Sequence, residues 1–284
     1  MDFLTQNVTN SGLSVLMAGS MAYVWWRHRE LEAFRYWMIG ALSFVVADLL
    51  FAMRPRLPIL LDPVLSTAAV TFGYLFVLFG IWRFVDEAPR TTLAIALGVA
   101  HAVALAALVF FGASVEVRVV VNSVVWAILT ATAMLSLTAA RARLGESVVM
   151  LPSIVCGIQV VVMGARVVIA TSAIQQWSAG AAFERLVSLS LLETSLFIVA
   201  IFMSLLIAEM LRRQAALQKA LTDVSVLSGM LPICAWCKKV RDDQGYWNQL
   251  ERFIASHTPV DFTHGICPDC AAQHMAEGKD AAHD

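Results

Sequence analysis

Seven runs of roughly 20 apolar residues, parted by short polar connections, constrain this chain more than any other feature. They cover about residues 8–26, 34–53, 59–82, 91–112, 117–139, 148–170 and 186–208. A helix of that length crosses the hydrocarbon core of a bilayer and pairs its backbone groups within itself. None of the runs alternates apolar and polar residues as a barrel strand would. The expectation is an all-α polytopic membrane protein with seven transmembrane helices in residues 1–208. Composition agrees: of 284 residues, 59% are hydrophobic and 14% charged, against about 25% charged in a soluble domain. Asp2 is the only charge ahead of the first run and six more runs follow. That run therefore reads as a span and not as a cleaved signal peptide.

Arginine and lysine set the orientation, because cytoplasmic loops of membrane proteins are enriched in them. With the amino terminus outside, the inner ends carry Arg27, Arg29, Arg35, Arg83, Arg90, Arg141, Arg143, Arg212 and Arg213. The outer ends carry Arg54, Arg56, Arg118 and Arg185. The excess predicts a cytoplasmic carboxyl terminus. Trp25, Trp26, Trp37 and Trp82 fall near the inner boundaries and are expected to form an interfacial aromatic belt.

Polar groups within the spans are costly and therefore informative. Asp48, Asn122, Arg166 and Glu193 lie in the outer halves of spans two, five, six and seven, and His101 lies near the centre of span four. Arg166 and Glu193 are on consecutive antiparallel spans at similar depth, where they can pair. Two readings fit: a structural ion pair beside a satisfied histidine, or a pocket for a small ligand or ion built on Asp48, Arg166 and Glu193. No second histidine occurs in any span, so haem or metal ligation by His101 is not expected.

The last 73 residues are a different material. They hold 17 of the chain's 41 charged residues, eight basic and nine acidic, and the first lysine of the chain is Lys219. Residues 209–230 form a helical connector in which Met210, Leu217, Val224 and Leu231 recur every seven residues. Leu221 adds a d-type position, while Gln214 and Ser228 interrupt the seam. The expectation is a short parallel coiled coil joining two copies, closed by Gly229 and Pro232. Residues 231–276 contain Cys234-Ala-Trp-Cys237 and Cys267-Pro-Asp-Cys270. Two CxxC hooks supply four thiolates, matching the tetrahedral preference of Zn²⁺ in a closed structural site. A reducing cytosol disfavours stable disulfides, and a module this small needs more than apolar burial to fold. His264 stands near the second hook as a further ligand or a hydrogen-bonding group. Cys156, alone in span six, is expected to be a buried apolar residue.

Between the hooks, Lys238 to Arg241 and the Asp242-Asp243-Gln244-Gly245 turn suggest a strand and tight turn. Trp247, Leu250, Phe253 and Ile254 share one face of a helix over 246–256. Asp261 to His264 reads as a returning strand, and 271–276 as a helix starting at the second hook. The order resembles a zinc-ribbon or treble-clef module with Trp236 and Trp247 in its small core. Residues 277–284 are expected to be disordered. Lys238, Lys239 and Arg241 are offset by Asp242 and Asp243, and the formal net charge of the chain is −1. Nucleic-acid binding is therefore not expected.

Two resemblances add to this reading. Residues 51–84, with Arg54, Arg56-Leu57-Pro58, Gly73-Tyr74, Gly80 and Arg83-Phe84, resemble the membrane sensor region that precedes diguanylate cyclase or histidine kinase domains in bacterial proteins. That pattern has Asn where this chain has Thr67 or a neighbour. Residues 227–270 are similar to a tail found in bacterial signalling proteins. The match runs through Leu231-Pro232-Ile233-Cys234, Cys237-Lys238-Lys239, Arg241-Asp242-Asp243, Gly245-Tyr246-Trp247 and His264-Gly265-Ile266-Cys267-Pro268-Asp269-Cys270. The resemblances imply signalling and metal binding, with no particular output. No Gly-rich nucleotide loop, GxSxG elbow or HExxH helix is present, so no enzyme activity is expected. With the resemblances, the resulting expectation is a homodimeric sensor or adaptor of the bacterial inner membrane, with its amino terminus outside and a cytoplasmic zinc module that contacts a signalling protein. Its rivals are a transporter or channel with a regulatory metal tail, and a cysteine redox switch.

Overall fold

Where nearly every side chain is apolar, periodicity no longer separates helix from strand, and the need to pair backbone groups decides. The computed structural model resolves the choice as helix throughout the apolar body. It describes residues 3–53, 56, 58, 62–88, 90–175, 180–228, 232–242, 244–263 and 265–272, with side-chain surroundings for these except 3–7, 62, 175–191 and 223–228. The helices are α1 (Phe3–Arg27), α2 (Glu32–Ala52), α3 (Asp62–Phe84), α4 (Thr91–Phe110), α5 (Val115–Ala139), the single turn α6 (Arg141–Leu144), α7 (Glu146–Gln175) and α8 (Gly180–Ser228). The chain divides into two compact units, residues 1–213 and 214–284.

Among the described residues, six helices are long and apolar enough to cross a bilayer: α2, α3, α4, α5, α7 and α8. The chain is thus a multi-pass, all-α membrane protein. The expected seventh span, α1, has the length, 25 residues, but is diluted by Asn10, Ser11, Ser14 and Ser20. Its polar Asn10 and Ser14 are buried, while Val8, Val15, Leu16 and Tyr23 face outward. That inversion recurs on the other helices. Leu42, Val46 and Leu49 of α2, Val99 and Val103 of α4, and Val161 and Val168 of α7 are all exposed. An apolar exterior over a partly polar interior is what a lipid solvent selects.

Packing in lipid depends on shape, because apolar side chains gain nothing by leaving lipid tails for one another. Aromatic rings fill the interior, and Phe34, Trp37, Phe44, Phe84 and Phe202 are fully buried. α2 and α3 approach closely enough for Gly80 to lie under the Trp37 indole, which donates to the Val77 carbonyl at 3.3 Å. A Cβ on Gly80 would overlap Trp37 Nε1. Gly80→Ala is therefore expected to destabilise the bundle by about 1–3 kcal/mol, read as a lower unfolding midpoint in detergent. An unchanged midpoint would show that Trp37 can move aside.

One end of the bundle is tied by charge. Arg83 meets Glu32 at 3.5 Å, Arg212 meets Asp86 at 3.5 Å, and Arg213 meets Glu30 at 3.3 Å and Glu209 at 2.9 Å. Arg212 also donates to the Phe84 carbonyl at 2.8 Å and Arg143 to Val85 at 3.0 Å, while Arg141 pairs with Glu146. The expected tryptophan belt is only half formed at this end. Trp26 is exposed and Trp25 lies under Arg29, with 4.2 Å from the guanidinium to the ring centre. Trp37 and Trp82 are instead core residues, the latter donating to Ser136 Oγ at 3.1 Å. Sequence position near a boundary gives depth; the helix face decides between lipid and core.

The second unit starts within α8, whose 49 residues merge the expected last span and connector into one helix. Further on, β1 (Val240–Arg241) pairs antiparallel with β2 (Trp247–Asn248), followed by α9 (Leu250–His257). Three expectations for this segment are corrected. Trp247 lies in a strand and not on the helix. Residues 261–263 are not a strand. The last helical turn, residues 268–272, starts at the second hook as expected, three residues earlier than 271. Finally, Trp236 and Trp247, at 94% and 49% exposure, form no core; Val240 is the single buried side chain among the described residues of 232–272. His264, Val224, Leu231 and the tail 277–284 lie outside the described residues or side chains.

Candidate functional site

Two places gather chemistry: a polar seam inside the helices, and the two cysteine hooks. In the seam, Arg166 of α7 pairs with Glu193 of α8 at 3.3 Å, with 10% and 20% of the side chains exposed. Gln159, two turns before Arg166 on the same face of α7, hydrogen-bonds Glu193 and donates to the Tyr74 hydroxyl at 2.9 Å. The Tyr74 ring is stacked between Trp126 (5.6 Å, 9°) and Phe197 (5.3 Å, 10°). Arg166 lies 5.8 Å from the Trp126 ring centre, within cation–π range. Arg166 Nε and Glu193 Oε1 are buried and lack partners. Such a pair is poised, since low dielectric strengthens the contact and magnifies the cost of breaking it.

Trp126 connects this pair to a second set. Its Nε1 donates to Thr71 Oγ1 at 3.0 Å, and Thr71 donates to the Thr67 carbonyl at 2.9 Å. Having spent its only proton, Thr71 meets His101 Nδ1 (3.1 Å) as an acceptor, which puts a proton on Nδ1. His101 Nε2 lies 3.0 Å from Asn122 Oδ1. With that amide orientation both ring nitrogens carry protons; a neutral ring requires the amide turned so that its N–H faces Nε2. Either way His101 is a satisfied, buried histidine.

Of the three residues expected to share a ligand pocket, the structure joins Arg166 and Glu193 and separates Asp48. Asp48 Oδ2 is buried without a partner, and its other contact is a hydrogen bond from Ser14 of α1. Sequence position alone missed Gln159, Tyr74, Thr71 and Trp126. Their signal was helical spacing: Gln159 is seven residues before Arg166, Thr71 three before Tyr74, and Asn122 four before Trp126. Cys156 is buried, as expected.

The hooks are built from backbone. Cys234 N–H donates to the Lys239 carbonyl at 2.8 Å, and Lys238 N–H returns to the Cys234 carbonyl at 3.0 Å. Lys238 takes a left-handed φ of 58° to close the knuckle. The N–H groups of Cys237 and then Trp236, with the Cys237 thiol, hold the Cys234 thiol below its ordinary range. At the second hook the Cys270 N–H and thiol do the same for Cys267. Asp242 fixes the hairpin, accepting from Gln244 N–H (3.1 Å), Tyr246 N–H (2.8 Å) and Asn248 Nδ2 (2.7 Å). This donor set, thiols with N–H groups aimed at sulfur, fits a thiophilic divalent ion. The two hooks stand as separate pairs: among the described residues, no three His, Cys, Asp or Glu side chains are gathered to hold a metal.

No family model, curated protein or solved structure matches this chain.

Proposed function

We propose that this chain is a signalling protein of the bacterial inner membrane. Seven helices detect a cue on the outer side or within the membrane. The cytoplasmic module, holding structural zinc through Cys234, Cys237, Cys267 and Cys270, contacts a partner protein. The observation that carries this reading is the continuity of α8. Glu193, half of the buried ion pair, and the exposed Met210, Leu217 and Leu221 belong to one unbroken helix. Helix continuity gives a shift at the ion pair a covalent and hydrogen-bonded path toward the connector, which supports transmission along α8. Gathering Arg83, Arg141, Arg143, Arg212 and Arg213 at one end supports cytoplasmic placement of that end. Ser14 turned toward Asp48, under a lipid-facing apolar surface, supports α1 as a seventh span. Zinc, when bound, would tie the hooks together and contribute folding free energy to a module with almost no apolar core.

The connector pairs two copies through Leu217 and Leu221 in this reading. Photo-crosslinking from position 217 in native membranes is expected to give a covalent dimer, and Leu221→Glu to abolish it. Glu193→Gln is expected to change the yield of that product. A product insensitive to Glu193 would refute signalling along α8, and absence of any dimer would refute pairing.

A further inference from the structure

At the end of the helices away from the arginine ties, α3, α4 and α5 leave an open cavity of about 100 Å³. Pro63 and Thr67 of α3, Leu105 of α4, and Val119, Asn122 and Arg118 of α5 line it. Most of this wall is apolar, and among the described residues Arg118 contributes the one formal charge in the lining. Arg118 Nε is buried and has no hydrogen-bond partner. No ion pair among the described residues involves Arg118. The described carboxylate that feels its charge, Glu116, is half-buried and is engaged by Ser114. A guanidinium brought against a low-dielectric wall with its donors unspent is costly unless an anion completes it. One turn further along α5, Asn122 forms part of the same wall and spends its Oδ1 on His101. In the turned orientation, with one N–H on Nε2, the second N–H still stays off His101, so in either case the amide keeps at least one donor in this wall.

We propose that this cavity binds an oxyanion group, a carboxylate or a phosphate, through Arg118 with Asn122 as a second donor. A planar, forked guanidinium suits both anions. The site communicates inward by a continuous set of contacts. Asn122 meets His101 at 3.0 Å, His101 meets Thr71 at 3.1 Å, Thr71 accepts from Trp126 at 3.0 Å, and Trp126 faces Arg166. This deepens the sensing role, on which its biological meaning rests, by naming the chemistry of the cue.

The test uses the full chain in a sugar-headed detergent, which carries neither phosphate nor carboxylate. The indole N–H resonance of Trp126, identified by its loss in Trp126→Phe, is followed while sodium acetate, sodium phosphate or phosphatidylglycerol is added. Sodium chloride at matched ionic strength is the reference. A saturable shift is expected, about tenfold or more weaker in Arg118→Gln and partly restored in Arg118→Lys, as loss of a charge-assisted hydrogen bond predicts. Unmoved Trp37 and Trp82 resonances in Arg118→Gln establish that the variant folds. Response to acetate or phosphate supports a free ligand; response to phosphatidylglycerol alone supports a lipid headgroup. No saturable shift with any of the three, or an equal shift in Arg118→Gln, overturns the site. Binding that leaves the position 217 crosslink unchanged refutes the sensing role and leaves the site standing.

Discussion

Glu193→Ala is expected to destabilise the helical bundle by about 3–5 kcal/mol, the cost of leaving a buried charge unpaired. Arg166 would keep only the Trp126 ring, 5.8 Å away, and Gln159 would lose one of its two acceptors. Arg166→Leu should cost a similar amount for the mirror-image reason. The double variant Arg166→Leu/Glu193→Leu should recover most of the loss, because no charge then remains to be desolvated. Equilibrium unfolding of all four proteins in mixed micelles measures the coupling directly. Single variants costing less than about 1 kcal/mol, with an additive double, would place the pair among the solvent-screened ion pairs of little energetic consequence. The stability measured here is separate from signalling, which the Glu193→Gln crosslink reads.

The second large effect concerns the hooks. Freshly purified full chain is expected to carry one zinc per copy by elemental analysis, and Cys267→Ser to carry none. The physical basis is the thinness of the module. Among its described residues only Val240 is buried, so a metal contribution of about 10 kcal/mol or more would dominate its folding. Chelation should therefore abolish amide-exchange protection across Val240–Arg241 and Trp247–Asn248 while leaving the unfolding midpoint of the helical body unchanged. Zinc-free protein with intact hairpin protection would defeat the proposal. Disulfides within Cys234–Cys237 and Cys267–Cys270 in place of metal would favour a redox role, since both hooks present adjacent thiols with N–H groups directed at sulfur.

Membrane character was legible because it depends on composition over a window, and windows of 20 residues average out local detail. Lateral placement was not. Trp37 and Trp25 lie twelve residues apart near the same boundary, yet one is sealed in the core and the other stacks under Arg29. The hairpin shows the same limit. Trp247 fits the periodicity of the following helix, but the Asp242 carboxylate captures the N–H of Tyr246 and the amide of Asn248 and draws that segment into a strand. A local side-chain bond outweighed a four-residue pattern.

The amino-acid order alone settled the class of solvent, the rough position of the six most apolar helices, and the spacing of cysteines within each hook. These are short-range properties, set by hydropathy and by i to i+3 spacing. Which polar side chains meet inside the bundle was decided only by helix packing. Arg166 found Glu193 as expected, but Asp48 went to Ser14, Asn122 to His101, and Tyr74 to Gln159, 85 residues away. Each of those contacts depends on the rotation of one helix about its axis against another, and close packing of glycines and aromatic rings fixes that angle.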